Sequence, residues 1–316
     1  MIGGIEIKKI LYSLRIKGLQ SADGTVSASK LKELLEDIEL AAQRGVRLLL
    51  DGASVKPGTV PHWLEASTDF VITGFKPGST ILEVEAPAFG DTVDEEMLQP
   101  DFWREMPGPE DSVFSVMQKC LQDAEAENLD SDRFDRGVLD GLSKFGRFFK
   151  HADSLEIIRK DGKEESFTIS ASSVEHVDRL RAKTPEPQTM VVSGKLEQIT
   201  YKTGRFLMEL PGGMQLRGRV HPEFLDSEDL RDLWGKKVSV KGPVHFKPSG
   251  AARFVDAELL KLMDPNEAIF ERLPQAIQME APFAGMVQAA REAVEISEVW
   301  NQWPGDESIE ELLADL

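Results

Sequence analysis

The stretch that decides the fold runs from Met190 to Met263 and consists of short apolar segments separated by turns. These segments are MVVSGKLEQI at 190–199, RFLMEL at 205–210, MQLRGRV at 214–220, KKVSVKG at 236–242, PVHFK at 243–247 and ARFVDAELL at 252–260. Glycine and proline interrupt them, and EDLRDLW at 228–234 has the composition of a short helical insert. The pattern is typical of a small β-barrel of the OB or SH3-like kind.

The rest of the chain predicts an α+β fold in five parts, because a chain of 316 residues exceeds what one hydrophobic core usually serves. We expect a small N-terminal α+β unit, a middle part with helices, the barrel and a helical C-terminal tail. The sharpest boundary is a linker that contains Pro185 and Pro187, since prolines keep a segment extended. The expected parts are 1–90 (small α+β domain), 91–183 (acidic loop, helices and a β-hairpin), 184–189 (linker), 190–263 (barrel) and 264–316 (helical segment and acidic Trp-containing tail).

Periodicity predicts the elements before the linker. Apolar and charged residues alternate from Glu6 to Lys17, as in a half-buried strand. A helix is expected from a cap at Ser27 or Ser29 to Arg44, with Gly45 ending it. Further elements are predicted as a hairpin over 69–85, a loop over 91–111, helices over 113–127 and 134–149, a second hairpin over 154–170, a short helix capped by Ser173, another short helix over 265–273 and a helix over 286–299.

The net charge of −18 and the pI near 4.8 argue against a protein that coats DNA or anionic membranes with its whole surface. No apolar run approaches the roughly 20 residues that span a bilayer, and the N-terminus lacks the order of a secretory signal. The single cysteine, Cys120, excludes an internal disulfide framework. We therefore expect a cytoplasmic protein without membrane association.

Catalytic motifs are missing from the sequence. The chain contains no GxSxG, no Walker loop and no GxGxxG after a strand, and Cys120 lies on an apolar helical face. The histidines show no metal-ligand spacing: His62, His151, His176, His221 and His245. We predict no catalytic residue, no metal and no cofactor; an enzyme with an unrecognised carboxylate site is the alternative.

The barrel stretch is slightly basic within this acidic chain, with twelve Lys and Arg against nine Asp and Glu between Met190 and Met263. Basic residues and aromatics on the curved face of a small barrel can contact nucleic acid. A structural or protein-contacting barrel is the other interpretation. The candidate nucleic-acid-binding residues are Lys195, Lys202, Arg205, Arg217, Arg219, Lys236, Lys237, Lys247 and Arg253, with Tyr201, Phe206, His245 and Phe246 as accompanying rings.

The last residues of the chain predict a short amphipathic helix after a Trp-Pro-Gly turn. Ser308 and Glu311 make a capping box, and apolar residues then follow at helical spacing. So short a helix is unstable alone in water, so its apolar stripe must dock on its own chain or on a partner. The candidate partner-binding residues are Trp300, Trp303, Pro304, Gly305, Asp306, Glu307, Ile309, Leu312, Leu313 and Leu316.

VSGKLEQI, LPGG, LWGKKVSVKG and ARFVDAE in the barrel, with WPGDES and IEELL at the end, resemble a group of uncharacterised bacterial proteins. The resemblance covers 190–316 and implies an antitoxin-like or regulatory protein, often encoded beside PIN-type toxins, whose tail engages the toxin. The tail residues to which the resemblance assigns contact with the toxin are Trp303, Pro304, Gly305, Asp306, Glu307, Ile309 and Leu312. Antitoxins that block the acidic site of PIN nucleases often insert Arg or Lys, whereas this tail is acidic. The resemblance therefore implies docking on an outer groove of the toxin.

The sequence thus supports two hypotheses. The first is a non-enzymatic, antitoxin-like protein-interaction module whose tail docks on a protein partner, with a PIN-type toxin as the candidate. The second is a nucleic-acid-binding protein that uses the basic face of the barrel.

Overall fold

The computed structural model describes residues 8–19, 25–56, 58–76, 80–98, 105–161, 166–200, 204–220 and 231–276. These residues all belong to one compact unit. The helix predicted over 286–299, the C-terminal tail and the barrel candidates Tyr201 and Lys202 lie outside the described residues. The fold is mixed α+β, with a five-stranded antiparallel sheet, a closed five-stranded barrel and several helices.

The first sheet has the strand order β2-β3-β1-β4-β5. Its central strand β1 alternates buried Ile10, Tyr12, Leu14 and Ile16 with outward-facing side chains, which confirms the predicted strand. Both predicted hairpins form, as β2–β3 and β4–β5. The bounds are β1 (Lys9–Lys17), β2 (Val71–Phe75), β3 (Ile81–Pro87), β4 (Ser154–Arg159) and β5 (Ser166–Ser170).

Helices share one hydrophobic core with the inner face of this sheet, and the core extends along the chain from Ile10 to Leu180. Because β1 pairs with β3 on one side and β4 on the other, strands from 1–90 and 91–183 join in one sheet. We call residues 8–183 the N-terminal unit. Its helices are α1 (Ala28–Asp51), α2 (His62–Thr68), α3 (Phe89–Thr92), α4 (Glu95–Leu98), α5 (Val113–Glu125), α6 (Arg136–Ser143), α7 (Phe145–Phe148) and α8 (Ala171–Lys183).

The predicted barrel is confirmed. Strands β6 (Gln188–Thr200), β7 (Arg205–Leu210), β8 (Met214–Val220), β9 (Lys237–Phe246) and β10 (Ala252–Ala257) run in the order β10-β8-β7-β6-β9, and pairing of β9 with β10 closes the ring. Strands β8 and β10 are parallel, and the other neighbours are antiparallel.

The barrel has its own core and two additions. Val192, Leu196, Met208 and Phe246 are among the side chains that fill its interior. Strand β11 (Leu259–Leu262) pairs with β9 outside the ring, and a 3₁₀ helix follows at Pro265–Phe270, which is shorter than the helix predicted there. Within the predicted helical insert, residues 231–233 are helical.

The prediction that α1 ends at Gly45 is wrong. The helix starts after the predicted cap Ser27 but continues to Asp51, and Gly52 ends it in a left-handed conformation. Gly45 is buried, and a Cβ there would lie 3.3 Å from Cγ1 of Val116 on α5. The glycine therefore lets two helices approach closely, and this tertiary reason cannot be read from local sequence.

Other helix boundaries also differ from prediction. The helix expected over 134–149 is divided into α6 and α7, and α6 starts after Asp135, whose carboxylate accepts from the Val138 N–H. Ser170, not Ser173, caps α8, because the helix begins one turn earlier. The segment predicted as a loop over 91–111 contains α4, and α3 extends into its start.

Candidate functional site

The outer face of β8 and β10 meets the N-terminal unit at a charged interface. Its residues on the N-terminal side are Arg47, Asp51, Ser54, Lys56, Asp132 and Asp135, and on the barrel side Arg217, Arg219, Lys247, Arg253 and Asp256. Phe254 is buried here and belongs to neither hydrophobic core. A Cβ on Gly52 would meet the Phe254 ring at 2.4 Å, so the end of α1 lies directly against the barrel.

Asp51 is the centre of the first group of charges. Its carboxylate forms an ion pair with Arg219 of β8, and it lies 3.4 Å from Nζ of Lys56 and 3.7 Å from Nε of Arg47. Lys56 also approaches Asp256 of β10, with Nζ 3.6 Å from Oδ1. Helix α1 places Arg47 and Asp51 one turn apart, so both reach the same side of the interface.

Asp135 is the centre of a second, more deeply buried group. Its carboxylate accepts from the hydroxyl of Ser54 at 2.5 Å, from the Ser54 N–H at 3.1 Å and from the Val138 N–H at 3.0 Å. The charge of Arg253 on β10 attracts it, and Arg253 also donates to the carbonyl of Gly52. Three hydrogen-bond donors and one buried cation therefore converge on a carboxylate in the N-terminal unit.

A third contact joins the loop between β9 and β10 to the segment before α6. Lys247 pairs with Asp132 at 3.0 Å and donates to the carbonyl of Asp130 at 2.8 Å. Arg217 lies 3.9 Å from the same Asp132 carboxylate, and the Ser249 N–H donates to the Leu129 carbonyl at 3.1 Å. These contacts hold the barrel loop against the N-terminal unit.

Desolvation sets the electrostatics of this interface. Burial lowers the pKa of Lys56 and of Arg219, and Asp256 opposes both shifts. Burial alone would raise the pKa of Asp135, but Arg253 and the hydrogen bonds from Ser54 and Val138 outweigh it and hold that pKa below its usual value. Asp135 is thus stabilised as an anion, and its charge favours the charged form of the buried Arg253.

Four of the nine cations predicted to bind nucleic acid therefore lie in this interface: Arg217, Arg219, Lys247 and Arg253. Arg205 lines an open cleft of about 760 Å³ together with Arg219, Trp63 and the carboxylates of α4. The rings of Phe206 and Phe246 point into the barrel core. His245 is buried, and burial lowers its pKa.

The remaining described cations lie together at another place on the barrel. Lys195 pairs with Glu197 and Lys237 with Glu271, each at 2.5 Å, and Lys236 is exposed between them and the short helix at 231–233. Trp234 stands beside them with 62% of its surface exposed, and its indole N–H donates to the Glu197 carbonyl at 3.0 Å. We call Lys195, Trp234, Lys236 and Lys237 the tryptophan patch.

Sequence reasoning missed the acidic partners and Trp234. The spacing of Asp51, Asp132 and Asp135 carries no signal, because carboxylates are common throughout the chain and these meet only through tertiary contacts. The only signal for Trp234 in the sequence is its position in the basic stretch LWGKK, and its exposure is seen only in the structure.

Cys120 and the metal-ligating residue types show no reactive arrangement in the described part of the chain. The Cys120 thiol is buried, and burial raises its pKa to about 12, which suits an inert thiol. Among the described residues, no three His, Cys, Asp or Glu side chains are grouped so that they could hold a metal ion. No helix in the described ranges is long and apolar enough to cross a membrane.

The tail residues predicted to bind a partner, from Trp300 to Leu316, lie outside the described residues. Comparisons of this chain with models of known protein families, with curated proteins and with solved structures find no match.

Proposed function

We propose that this chain is a protein-binding, antitoxin-like regulatory module that acts without a catalytic centre of its own. The observation that carries the proposal is the charged interface. In this interface the barrel arginines pair with carboxylates of the N-terminal unit. This pairing argues against nucleic-acid binding by the outer face of β8 and β10.

The topology of the barrel explains why this observation matters. Its strand order, with the third and fifth strands parallel, supports an OB-type barrel, and such barrels bind oligonucleotides on their second and third strands and on two adjoining loops. Here the third strand carries Arg217 and Arg219, and one of those loops carries Lys247. These cations pair with Asp51 and Asp132, so carboxylates of the same chain already balance their charge.

The proposed contact with the partner is the C-terminal tail, with Trp300 and Trp303 as aromatic anchors and the Ile309–Leu316 stripe beside them. Buried tryptophans often dominate the binding energy of such interfaces. The proposed partner is a protein, and a PIN-type toxin encoded nearby is the first to test.

Truncation tests this function. We expect the full chain to copurify with the protein encoded by the adjacent gene, and a chain that ends at Val299 to lose it. A full-length variant with Trp300→Ala and Trp303→Ala should lower recovery about tenfold or more, because loss of an anchor costs at least about 2 kcal/mol. Equal recovery of the partner by all three chains would contradict a role of the tail in partner binding.

A second function, binding of single-stranded nucleic acid, is favoured by the tryptophan patch. An exposed indole next to the exposed Lys236 offers a stacking surface beside a positive charge, whereas Lys195 and Lys237 are paired with carboxylates. The full chain should then bind a fluorescent single-stranded oligonucleotide with an affinity that falls steeply as salt rises. Trp234→Ala should weaken binding about tenfold and Trp234→Phe much less. No binding at low salt contradicts this function.

A further inference from the structure

An open groove of about 1240 Å³ lies between α1, α2 and the start of β2, on the N-terminal unit. Leu31 and Leu35 on α1 are half-buried in its wall. Val60 and Val71 are 39% and 44% exposed on the opposite side. The groove thus presents apolar side chains from α1, from the segment before α2 and from β2 to solvent.

The charges around this groove are predominantly negative. Five carboxylates and two lysines line it. Lys9 pairs with Glu85 at 3.0 Å, and Lys32 pairs with Glu36 at 3.5 Å. The other three carboxylates, Glu39, Glu65 and Asp69, form no ion pair within the described part of the chain. An occupant that places cations beside these three gains attraction, whereas an acidic occupant is repelled.

The wall that α1 contributes has the geometry of a helix-packing surface. Leu31, Leu35, Glu39 and Gln43 follow one another at intervals of four residues and form one ridge along the groove. Ridges of this spacing interdigitate with the corresponding ridges of a second helix. The shape therefore suits a helix, and the lining suits one with an apolar stripe.

We propose that this groove binds an amphipathic helix of a partner protein whose apolar stripe is flanked by lysine or arginine. This inference rests on the proposed protein-binding function and names a second contact for it. The partner's apolar residues cover Leu31, Leu35, Val60 and Val71, and its cations lie beside Glu39, Glu65 and Asp69.

The test uses the full chain and short fluorescent peptides made of leucine and lysine. A peptide with leucines at helical spacing should bind, and a peptide of the same composition with strictly alternating residues should bind much more weakly. A helical leucine–glutamate peptide should not bind. This last comparison distinguishes binding that depends on charge complementarity from nonspecific hydrophobic binding.

Matched charge variants locate the site. Glu39→Lys with Glu65→Lys changes two exposed rim residues and should weaken binding of the helical peptide about tenfold. Glu175→Lys with Glu258→Lys changes the net charge equally at exposed positions away from the groove and should weaken binding less than about twofold. Equal weakening by the two variants, or no binding of the helical peptide, overturns the groove proposal.

The natural partner separates this proposal from the function on which it rests. If the full chain retains the partner and the groove variant retains it equally well, the groove proposal is wrong while the protein-binding function stands. If the full chain retains no protein partner, the proposed function fails whatever the peptides do. If the groove variant retains less of the partner and the control variant retains as much as the natural chain, the result supports both the protein-binding function and the groove proposal.

Discussion

Replacing Asp135 with asparagine is expected to lower the free energy of unfolding by about 3–5 kcal/mol. Asp135 is buried, and the charge of Arg253 lies close enough to depress its pKa. Asparagine caps a helix as well as aspartate does, so the contact with the Val138 N–H survives. The loss has two sources: Arg253 loses the nearer of two carboxylate charges, and an amide NH2 in place of Oδ2 cannot accept from the Ser54 N–H. Denaturant unfolding followed by circular dichroism measures it.

The pH dependence gives this prediction a second readout. Because the pKa of Asp135 is lower in the folded protein than in the unfolded chain, its stabilisation is present above the unfolded pKa of about 3.9 and is lost as pH falls through the folded pKa. The difference in stability between the natural chain and Asp135→Asn should shrink as the pH falls below about 4.

Asp140→Asn on the same helix is the matched control for Asp135→Asn. Its side chain is 41% exposed and pairs at the surface with Arg136 and Arg181. We expect it to cost less than about 1 kcal/mol. If Asp135→Asn costs no more than this control, Arg253 does not depend on the Asp135 charge.

Gly52→Ala is expected to destabilise the fold by about 2–5 kcal/mol, as the sum of two separate effects. The first is conformational: Gly52 has a φ of 91°, which a residue with a Cβ adopts at a cost of about 1–2 kcal/mol. The second is steric, because the new methyl group would meet the ring of Phe254 at 2.4 Å. Overpacking of this kind costs about 1–3 kcal/mol.

Gly58 provides the control for this substitution. Its φ is 97°, and a Cβ there meets nothing within 4 Å. Gly58→Ala should therefore show only the conformational cost. Combining Gly52→Ala with Phe254→Leu should recover part of the steric cost, and a double-mutant cycle measures that coupling. Equal destabilisation at Gly52 and Gly58, with no coupling to Phe254, would contradict the close contact between the end of α1 and the Phe254 ring.

Much of the fold was predictable because its signals are local. Alternating burial along β1 and the two hairpins follow from the period of two in their sequences, and the barrel strands follow from short apolar runs between turns. Predictions failed where packing overrides a local signal. Gly45 resembles a helix end in sequence, yet it lies inside α1, where the missing side chain leaves room for Val116 of α5.

The sequence identified the cations of the barrel, but it did not predict which side chains surround them. Arg217, Arg219 and Arg253 were recognised as a basic set on strands. Alternation along a strand distinguishes two faces but does not say what covers the outer one. In this protein the N-terminal unit covers it, and the sequence separates Arg219 from Asp51, and Arg253 from Asp135, by more than a hundred positions.

The sequence by itself determined that residues 190–263 form a small barrel, since apolar periodicity and turn residues act over a few positions. It also determined that the chain is acidic and that this barrel is its slightly basic part. Only the tertiary structure decided which cations remain available to a ligand. Charges act through space, and Arg219 and Asp51 become neighbours only when α1 and β8 meet at the charged interface.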